Sequence, residues 1–411
     1  MNCSLLPDVY MQMFQKFRKY ILRKRRKKTI VLQNVFKTSY RRTALLSYVK
    51  EVFENDYDLI DESHTNKKKT FCISEILSDL GYNIDVIDWQ SDFNGDCNKY
   101  QLVLGLGKPL EDILRNRSDG KTPFVVLFAA GCNTTFSNKI TLERVVDFYY
   151  RRKRVLMSSS RFGESFPLQQ EIADWIILHG DKFAKSTYRS FNIDSVLAPV
   201  FIHQSISRSD EDWIKCKSNY LWFGSTGVLH KGLDLLVETF KNLPQYTLHI
   251  CGNLEKEREF YSFYKQELDS CANIIFHGFI NVDSQRYKQI LRECAFVIFP
   301  SVSEGNCAAV ITCMANGGLI PVVTRNADID LEQYGVEIMG FTENDILSAI
   351  ERSQQLSLDE LKSQTAKILH TTKNYHSFER FREDFKNKLI NALKSPNFFE
   401  KMDTMDRTKN H

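Results

Sequence analysis

The stretch AFVIFPSVSEGNCAAVITCMANGGLIPVV, residues 295–323, contains a complete strand–helix–strand pattern. The run AFVIFP (295–300) is short and apolar, as a buried strand is, and LIPVVT (319–324) is a second run of this kind. Between them, residues 306–316 have the composition of an apolar helix, which is expected to begin just after Glu304. A strand, a helix and another strand in this order predict a parallel βαβ unit.

The same alternation extends through most of the chain. In the N-terminal half the predicted strands are ALLSYV (44–49), NIDVIDW (83–89), YQLVLGL (100–106), PFVVLFA (123–129) and DWIILHG (174–180). In the C-terminal half, three further strands precede the two described above: YLWFGS (220–225), YTLHIC (246–251) and NIIFHG (273–278). We therefore predict an α/β protein with two Rossmann-like, doubly wound domains that face each other across a cleft.

The domain boundaries are placed where this alternation begins, lapses and ends. Polarity rises and periodicity is lost around residues 206–218, which predicts a linker. The predicted organisation is a basic N-terminal segment (1–28), a first domain (29–205), the linker (206–218), a second domain (219–375), a closing amphipathic helix (376–395) and a disordered tail (396–411).

The composition is that of a soluble globular protein. The chain has 411 residues, of which 43% are hydrophobic and 26% charged. Its longest apolar runs, such as PFVVLFAAG at 123–131, are too short to cross a membrane, and no secretory signal is expected. The ten cysteines form no CxxC pair, so a zinc site is not expected. Several of them lie inside apolar runs, where a free cysteine acts as a small hydrophobic residue, so a reducing cytoplasm is the expected compartment.

The positive charge of the chain is concentrated near its N-terminus. Residues 16–28 contain nine Lys and Arg and no acidic residue. Tyr10, Phe14, Phe17 and Ile21 recur at helical spacing, which predicts an apolar stripe flanked by cations. Such a helix is suited to the anionic inner face of a membrane. A solvated tail and a nucleic-acid arm are the alternatives, but neither accounts for the apolar stripe, and no nucleic-acid partner is expected.

The end of the strand YLWFGS has features of an anion site. The following segment, GSTGVLHKG, contains small residues and Lys231, and a helix is expected to start near Leu229. Free N–H groups and the helix dipole favour an anion at such a position, and the Lys231 ammonium supplies a full countercharge. The segment therefore predicts a phosphate-binding site.

Glu304 occupies a similar position after the strand AFVIFP. A carboxylate at the start of a helix can simply cap it, whereas next to a ligand site the same group can bind the ligand. Gly305 permits close approach of the backbone to another group. The residues alone leave both interpretations of Glu304 open.

Four segments together resemble a known family: FGSTGVLHKGLDLL (223–236), NIIFHGFI (273–280), AFVIFPSVSEG (295–305) and MANGGLIPVV (314–323). Over residues 220–325 their order and spacing are similar to the second domain of group 1, or family 4, retaining glycosyltransferases, which have the GT-B fold. The resemblance implies transfer of a sugar, of the hexosyl type, from a UDP- or GDP-sugar to a glycan, lipid-linked or other acceptor. It also implies retention of configuration, no metal or cofactor, and a place in polysaccharide or glycoconjugate synthesis.

The same resemblance assigns roles to individual residues. It makes Lys231 a ligand of the donor diphosphate and Glu304 a ligand of the hydroxyls of the transferred sugar, and both are candidate catalytic residues. The nucleotide base is placed near Gly278 and Phe279. The implied donor-binding set is completed by Ser225, Thr226, Gly227, Gly305, Asn306 and Thr312.

Two positions depart from the family pattern. The family has an arginine where Thr226 stands and a second glutamate, which holds the ribose, where Thr312 stands. A threonine hydroxyl forms one neutral hydrogen bond in place of an ionic one. Ser225 and backbone N–H groups are expected to replace part of the missing arginine's role.

The acceptor side is predicted from fewer residues. In SHTN (63–66), Ser63, Thr65 and Asn66 are good helix caps, and His64 is a third candidate catalytic residue, expected to contact the acceptor or the transferred sugar. The pair His179–Gly180, at another strand end, is the second choice. The DxD of Asp328 and Asp330 is interpreted as a solvated loop, and no metal site is expected.

Two other functions remain open. With Thr226 and Thr312 in place, the chain can be a degenerate GT-B protein that binds sugar nucleotides or scaffolds an assembly without catalysis. A sugar-nucleotide epimerase uses the same fold, although the pairing of GSTGVLHKG with SEG suits a transferase better. Turnover of a nucleotide sugar distinguishes the first alternative from a transferase.

Overall fold

The computed structural model describes residues 30–54, 64–117, 122–163, 167–189, 192–203, 206–331 and 334–407. The predicted basic amphipathic segment at 1–28 lies outside these residues. So do the last four residues of the predicted C-terminal tail.

The first domain contains a parallel sheet of six strands in the order β2-β1-β3-β4-β5-β6. The strands are β1 (Arg42–Tyr48), β2 (Tyr82–Asp88), β3 (Leu102–Gly105), β4 (Phe124–Ala129), β5 (Trp175–His179) and β6 (Ile193–Val196). The helices are α1 (Thr65–Asp79), α2 (Lys108–Arg115), α3 (Thr134–Arg152), α4 (Pro167–Ile172) and α5 (Lys182–Ser186). Every strand predicted for this domain is present.

The second domain repeats this plan, with six parallel strands in the order β12-β11-β10-β7-β8-β9. The strands are β7 (Asn219–Phe223), β8 (Thr247–Cys251), β9 (Ile274–Gly278), β10 (Phe296–Phe299), β11 (Ile320–Thr324) and β12 (Val336–Ile338). The helices are α6 (Asp210–Cys216), α7 (Leu233–Phe240), α8 (Arg258–Phe263), α9 (Lys265–Ser270), α10 (Gln285–Glu293), α11 (Ala308–Gly317), α12 (Glu343–Gln354) and α13 (Leu358–Tyr375). Two doubly wound domains are therefore confirmed.

Two strands, β6 and β12, were not predicted. They have four and three residues and lie at the edges of their sheets. Polar residues interrupt both strands: Asp194 and Ser195 in β6, and Glu337 in β12. An edge strand accommodates them because it is not buried on both faces as a central strand is. The periodicity of such short, mixed segments is too weak to recognise.

The last part of the chain returns to the first domain. Helix α14 (Phe378–Leu393) packs Phe381, Phe385 and Leu389 into the core under the first sheet, with the rings of Phe385 and Phe128 5.5 Å apart. The predicted closing helix is thereby confirmed. Helix α14 follows the last helix of the second domain in the chain but packs on the first domain. It therefore connects the two domains.

The predicted disordered tail is wrong over residues 396–407, which form helix α15 (Pro396–Arg407). Phe398 is 6% exposed and its ring meets that of Phe124 at 5.3 Å. Lys401 also donates to both carboxylate oxygens of Asp174 at 2.7 Å. These tertiary contacts, rather than a strong helical pattern, hold the segment.

The predicted linker at 206–218 is also wrong in part, because it contains α6. Ser209 and Asp212 form a reciprocal capping box at the start of this helix. Trp213 and Cys216 are buried in the core of the second domain. The passage between domains therefore comes earlier than predicted, before α6 begins.

Helix α3 belongs to both domains. It follows β4 of the first domain, but Val145 and Phe148 in its second half are part of the core of the second domain. Leu156 and Met157, just beyond its end, join the same core. The loop after α3 is therefore carried on the second domain, although the sequence places it in the first.

An ionic cluster anchors α3 to α7. Asp234 and Glu238, both 0% exposed, accept from arginines of α3. Arg144 lies 2.8 Å from Asp234, Arg151 contacts both carboxylates, and Arg152 lies 2.6 Å from Glu238. Removing one partner of such a buried pair leaves an uncompensated charge, so the cluster fixes the position of α3 on the second domain.

Two expectations about the whole molecule concern helices and cysteines. Within the described ranges, no helix combines the length and apolar character needed to cross a membrane. The cysteines of these ranges have free thiols, and Cys72, Cys216, Cys251, Cys294, Cys307 and Cys313 are buried. They act as small hydrophobic residues of the two cores.

Candidate active site

A cavity of about 570 Å³ lies between the domains, at the carboxyl ends of the strands. Lys69 lines it from the first domain, and Arg161, Lys231 and Glu304 line it from the second-domain side. Ligands of parallel α/β sheets bind at this edge, where loops converge and backbone groups are free. The described part of the chain contains no group of three or more side chains that could hold a metal ion.

The loop that carries Lys231 differs from its predicted form. Helix α7 begins at Leu233 instead of near Leu229, and Lys231 lies in the turn before it. Gly232 has a φ of 68°, and a Cβ there would lie 2.5 Å from the carbonyl oxygen of Pro300. Lys231 Nζ donates to Ser225 Oγ at 3.2 Å. The ammonium is thus directed into the cavity by a tight turn rather than by the first turn of a helix.

Two buried side chains hold this loop in place. Glu257 accepts from the Gly227 N–H, and burial raises the pKa of this carboxyl above its usual value. The Nε2 of His230 lies 2.7 Å from the Ser303 carbonyl oxygen, and its Nδ1 lies 2.9 Å from Thr141 Oγ1. Because a carbonyl only accepts, Nε2 carries the proton and Nδ1 accepts from the Thr141 hydroxyl. Burial lowers the pKa of His230 to about 4, so its imidazole is neutral while it holds Thr141 and Ser303.

Glu304 does not cap a helix. Helix α11 starts at Ala308, and its N-cap is Cys307. The Glu304 carboxylate instead accepts from Ser301 Oγ at 3.0 Å and from the Arg161 guanidinium at 2.9 Å. Its side chain is 10% exposed and faces the cavity. Of the two interpretations left open by the sequence, the capping one is wrong.

Arg161 is the residue that the sequence analysis missed. It lies in the loop after α3, and a Cβ placed on Gly227 would lie 3.1 Å from Arg161 Cβ. The arginine side chain therefore packs against the residue next to Thr226, the position where the family has its arginine. No local pattern marks Arg161, because only the docking of α3 on the second domain brings it to the cavity.

The charges of the site depend on one another. Burial raises the pKa of Glu304, but the positive charges of Arg161 and Lys231 lower it by more, so its pKa lies below the usual value. Burial lowers the pKa of Lys231, and this effect is partly offset by Glu304. Arg161 has a raised pKa, mainly because of Glu304. The Glu304 carboxylate thus interacts with two cations, Arg161 and Lys231.

Several predicted donor ligands lie outside this cavity. Thr226 is exposed, and Phe279 is 73% exposed at the open end of β9. Gly278 has a φ of 74°, and nothing lies within 4 Å of a Cβ placed there. Thr312 is half-buried, and its hydroxyl donates to the Ala308 carbonyl at 2.7 Å within α11. The assignment of these residues to the base and the ribose stays a prediction.

Gly305 and Asn306 join the two domains. A Cβ on Gly305 would lie 2.2 Å from Gly131 Cα, so its backbone touches the first domain directly. The Asn306 side chain is buried, accepts from the Ala198 N–H at 2.7 Å and donates to the Asp328 carbonyl at 3.0 Å. The described contacts of the Asn306 side chain are therefore structural, although it was predicted to bind the donor.

The interpretation of Asp328 as part of a solvated loop is wrong. Asp328 is 3% exposed. Its carboxylate accepts from the N–H groups of Asp181 at 2.6 Å, Phe183 at 2.9 Å and Asn306 at 3.1 Å. Burial raises its pKa, and these backbone donors act in the opposite direction. The Asp328 carboxylate thus connects the two domains by hydrogen bonds at the start of α5.

On the acceptor side, His64 is exposed and is not among the residues that line the cavity. It is the N-cap of α1, and its Nδ1 accepts from the Lys67 N–H at 3.4 Å. His64 therefore has the capping role that was predicted for Ser63, Thr65 and Asn66. Thr65 and Asn66 instead line the cavity. His179, the second choice, lines it as well.

Comparison with known proteins is consistent with this arrangement. Residues 209–366 match the family model described as glycosyl transferases group 1. The search of curated protein sequences finds no significant match.

Three solved structures that are similar to this chain have low sequence identity to it. A UDP-forming trehalose-phosphate synthase from Burkholderia xenovorans is 10% identical, with a TM-score of 0.52 over 87% of this chain and 100% of its own. HepE from Anabaena, in complex with UDP, is 11% identical, with a TM-score of 0.50 over 85% and 100%. A TarM variant from S. aureus is 14% identical, with a TM-score of 0.47 over 73% of this chain.

The present chain spans only 56% of the length of that TarM chain. At these identities the solved structures establish the fold alone, and the first two carry that conclusion. The sheet orders, the closing helix and the position of the cavity agree with it. The chain therefore has the GT-B fold, and residues 209–366, in its second domain, are similar to the glycosyl transferases group 1 family.

Proposed function

We propose that the protein transfers a sugar from a nucleotide sugar, such as a UDP- or GDP-sugar, to a glycan, lipid-linked or other acceptor. The observation that carries this proposal is the convergence of Lys231, Arg161 and Glu304 on one interdomain cavity. The two cations suit a diphosphate, and the carboxylate suits sugar hydroxyls. Both chemistries are required at a donor site.

The proposed reaction breaks the bond between the anomeric carbon and the diphosphate oxygen. The nucleoside diphosphate leaves with the bonding electrons, and an acceptor oxygen forms the new bond on the same face. The acceptor proton passes to the leaving phosphate oxygen. Lys231 and Arg161 lie where negative charge grows, and fixed cations of this kind stabilise such a transition state. Metal independence is part of the proposal, since these cations can neutralise the diphosphate.

In this proposal Glu304 orients the sugar. Hydrogen bonds from Ser301 and Arg161 hold its carboxylate in one orientation before the donor arrives. The remaining acceptor positions of the oxygens are then available to hydroxyl groups. A preorganised carboxylate also favours positive charge on the sugar ring as the leaving group departs.

The experiment that tests the proposal is incubation of the purified protein with a panel of nucleotide sugars, with detection of released nucleoside diphosphate and thermal shift in parallel. We expect one donor both to raise Tm and to release diphosphate. Binding without release, with every acceptor class offered, would instead support the scaffolding alternative, which the threonines at 226 and 312 favour. Neither binding nor release would contradict the proposal.

The proposal also includes a reducing cytoplasm as the compartment and peripheral association with the membrane. The free thiols support the first part, and the basic, apolar sequence pattern of residues 1–28 supports the second. We expect full-length protein to bind anionic vesicles in a salt-sensitive way, and a variant beginning at Thr29 to lose most of this binding. Equal sedimentation of both proteins with the vesicles would exclude the segment as the anchor.

A further inference from the structure

Lys69 is an unusual residue of the first domain. It lies on the second turn of α1, is 5% exposed, and lines the interdomain cavity. The contacts of the described residues give its ammonium no carboxylate partner, whereas Lys67, two positions earlier, pairs with Glu51 at 3.2 Å. A buried ammonium without a countercharge is costly, so its presence on a cavity wall indicates that a ligand supplies the charge.

The surroundings of Lys69 are suited to an anion. His179, at the end of β5, is 8% exposed, and its Nε2 has no hydrogen-bond partner among the described residues. Thr65 and Asn66 bring the first turn of α1 to the same cavity, where free N–H groups favour negative charge. Among the residues that the structure describes, Glu304 is the one carboxylate on the cavity wall, and it belongs to the second domain and is paired with Arg161.

We propose that Lys69 and His179 form an acceptor subsite for an anionic group, so that the acceptor carries a phosphate or a carboxylate close to the hydroxyl that is glycosylated. This inference rests on the proposed function, because it specifies the acceptor of that reaction. Lys69 supplies the charge, and His179 supplies one neutral hydrogen bond. The donor diphosphate occupies the Lys231 side of the same cavity.

The electrostatics agree with a site completed by a ligand. Burial lowers the pKa of Lys69 to about 7, and Lys69 in turn helps burial to lower the pKa of His179. An anion between them reverses both effects, since it favours the charged lysine and a hydrogen bond from the imidazole. The free protein thus maintains an unfavourable arrangement that the acceptor relieves.

The test measures calorimetric binding of glycerol 1-phosphate, glycerate and neutral glycerol to the full-length protein. The variants are Lys69→Met, Lys231→Met on the donor side, and Lys67→Met as the matched control on α1. We expect one of the two anions to bind and glycerol not to bind. Lys69→Met should weaken the anion by about ten- to hundredfold, while Lys231→Met and Lys67→Met change it by less than about threefold. Comparing phosphate with carboxylate identifies the anion.

Stability provides a second readout. Lys69→Met should raise Tm, because it removes a buried charge without a partner, whereas a lysine with a purely structural role would lower Tm. Should this variant not fold, His179→Asn reports on the same subsite, with an expected loss of three- to tenfold. Anion affinity that is unchanged in these variants, or that depends on Lys231 instead, overturns the inference.

The outcomes also separate this inference from the proposed function. Anion binding through Lys69 without diphosphate release from any nucleotide sugar means that the subsite exists and the transferase proposal fails. Diphosphate release that is equally fast with neutral acceptors, and unaffected by Lys69→Met, means that the protein is a transferase and the subsite is wrong.

Discussion

Replacing Arg161 by alanine is expected to lower kcat for sugar transfer by about 10²- to 10³-fold. This corresponds to about 2.7–4 kcal/mol, the typical contribution of one preorganised donor to a developing negative charge. The guanidinium lies 2.9 Å from Glu304, and the aliphatic part of the side chain packs beside Gly227, next to Thr226, where the family that the sequence resembles has an arginine. We therefore expect Arg161 to supply the positive charge that Thr226 lacks.

A control in the same segment distinguishes this role from a general effect of charge. Arg154 is exposed and lies seven positions earlier, so Arg154→Ala should leave kcat within about twofold of the wild type. Thermal unfolding should show both variants folded, because the Arg161 side chain is 53% exposed and contributes little to packing. If Arg161→Ala retains full kcat, the diphosphate is neutralised by other groups.

Glu304→Gln is expected to have two opposite effects, a fall in turnover and tighter binding of the nucleoside diphosphate. Losing a charged hydrogen bond to the sugar costs about 1.5–3 kcal/mol, or about ten- to 150-fold in turnover. At the same time the carboxylate no longer repels the diphosphate or competes for Arg161, to which it is ion-paired in the free protein. Diphosphate affinity should therefore rise about two- to tenfold.

Steady-state kinetics together with calorimetry reveal this combination of effects. Glu255→Gln is the matched control, since Glu255 is an exposed carboxylate of the same domain, outside the cavity. A Glu304→Gln variant that loses turnover and diphosphate affinity in parallel would indicate a damaged loop. Unchanged turnover would remove Glu304 from the donor site altogether.

Much of the architecture was predictable because the central strands are continuous apolar runs. β4 and β10 are buried at every position, so their sequences are unbroken. Lys231 and Glu304 were also predictable, because each stands in the loop that follows a central strand, where ligands bind in this class of fold. The sequence thus located the cavity from the second domain.

The rest of the site depends on contacts that no local pattern encodes. Arg161 reaches the cavity because the arginines of α3 bind Asp234 and Glu238. Arg144 and Asp234 are 90 positions apart in the sequence. In the sequence Asp328 resembles half of a surface DxD motif. In the structure its carboxylate instead accepts hydrogen bonds from backbone N–H groups of the first domain. Helix α15 is held by the contact of the buried Phe398 with Phe124. Each outcome depends on tertiary packing, which overrides local propensity.

The most direct test of the central claim, that the interdomain cavity is a diphosphate site, is calorimetric titration of the wild-type protein with UDP and GDP against uridine and guanosine. We predict that at least one diphosphate binds about tenfold or more tightly than its nucleoside, as expected for charged hydrogen bonds to phosphate. In Lys231→Ala this advantage should shrink by about 1.5–3 kcal/mol, with nucleoside affinity unchanged. Diphosphates that bind no better than their nucleosides, or an advantage that survives Lys231→Ala undiminished, would contradict the claim.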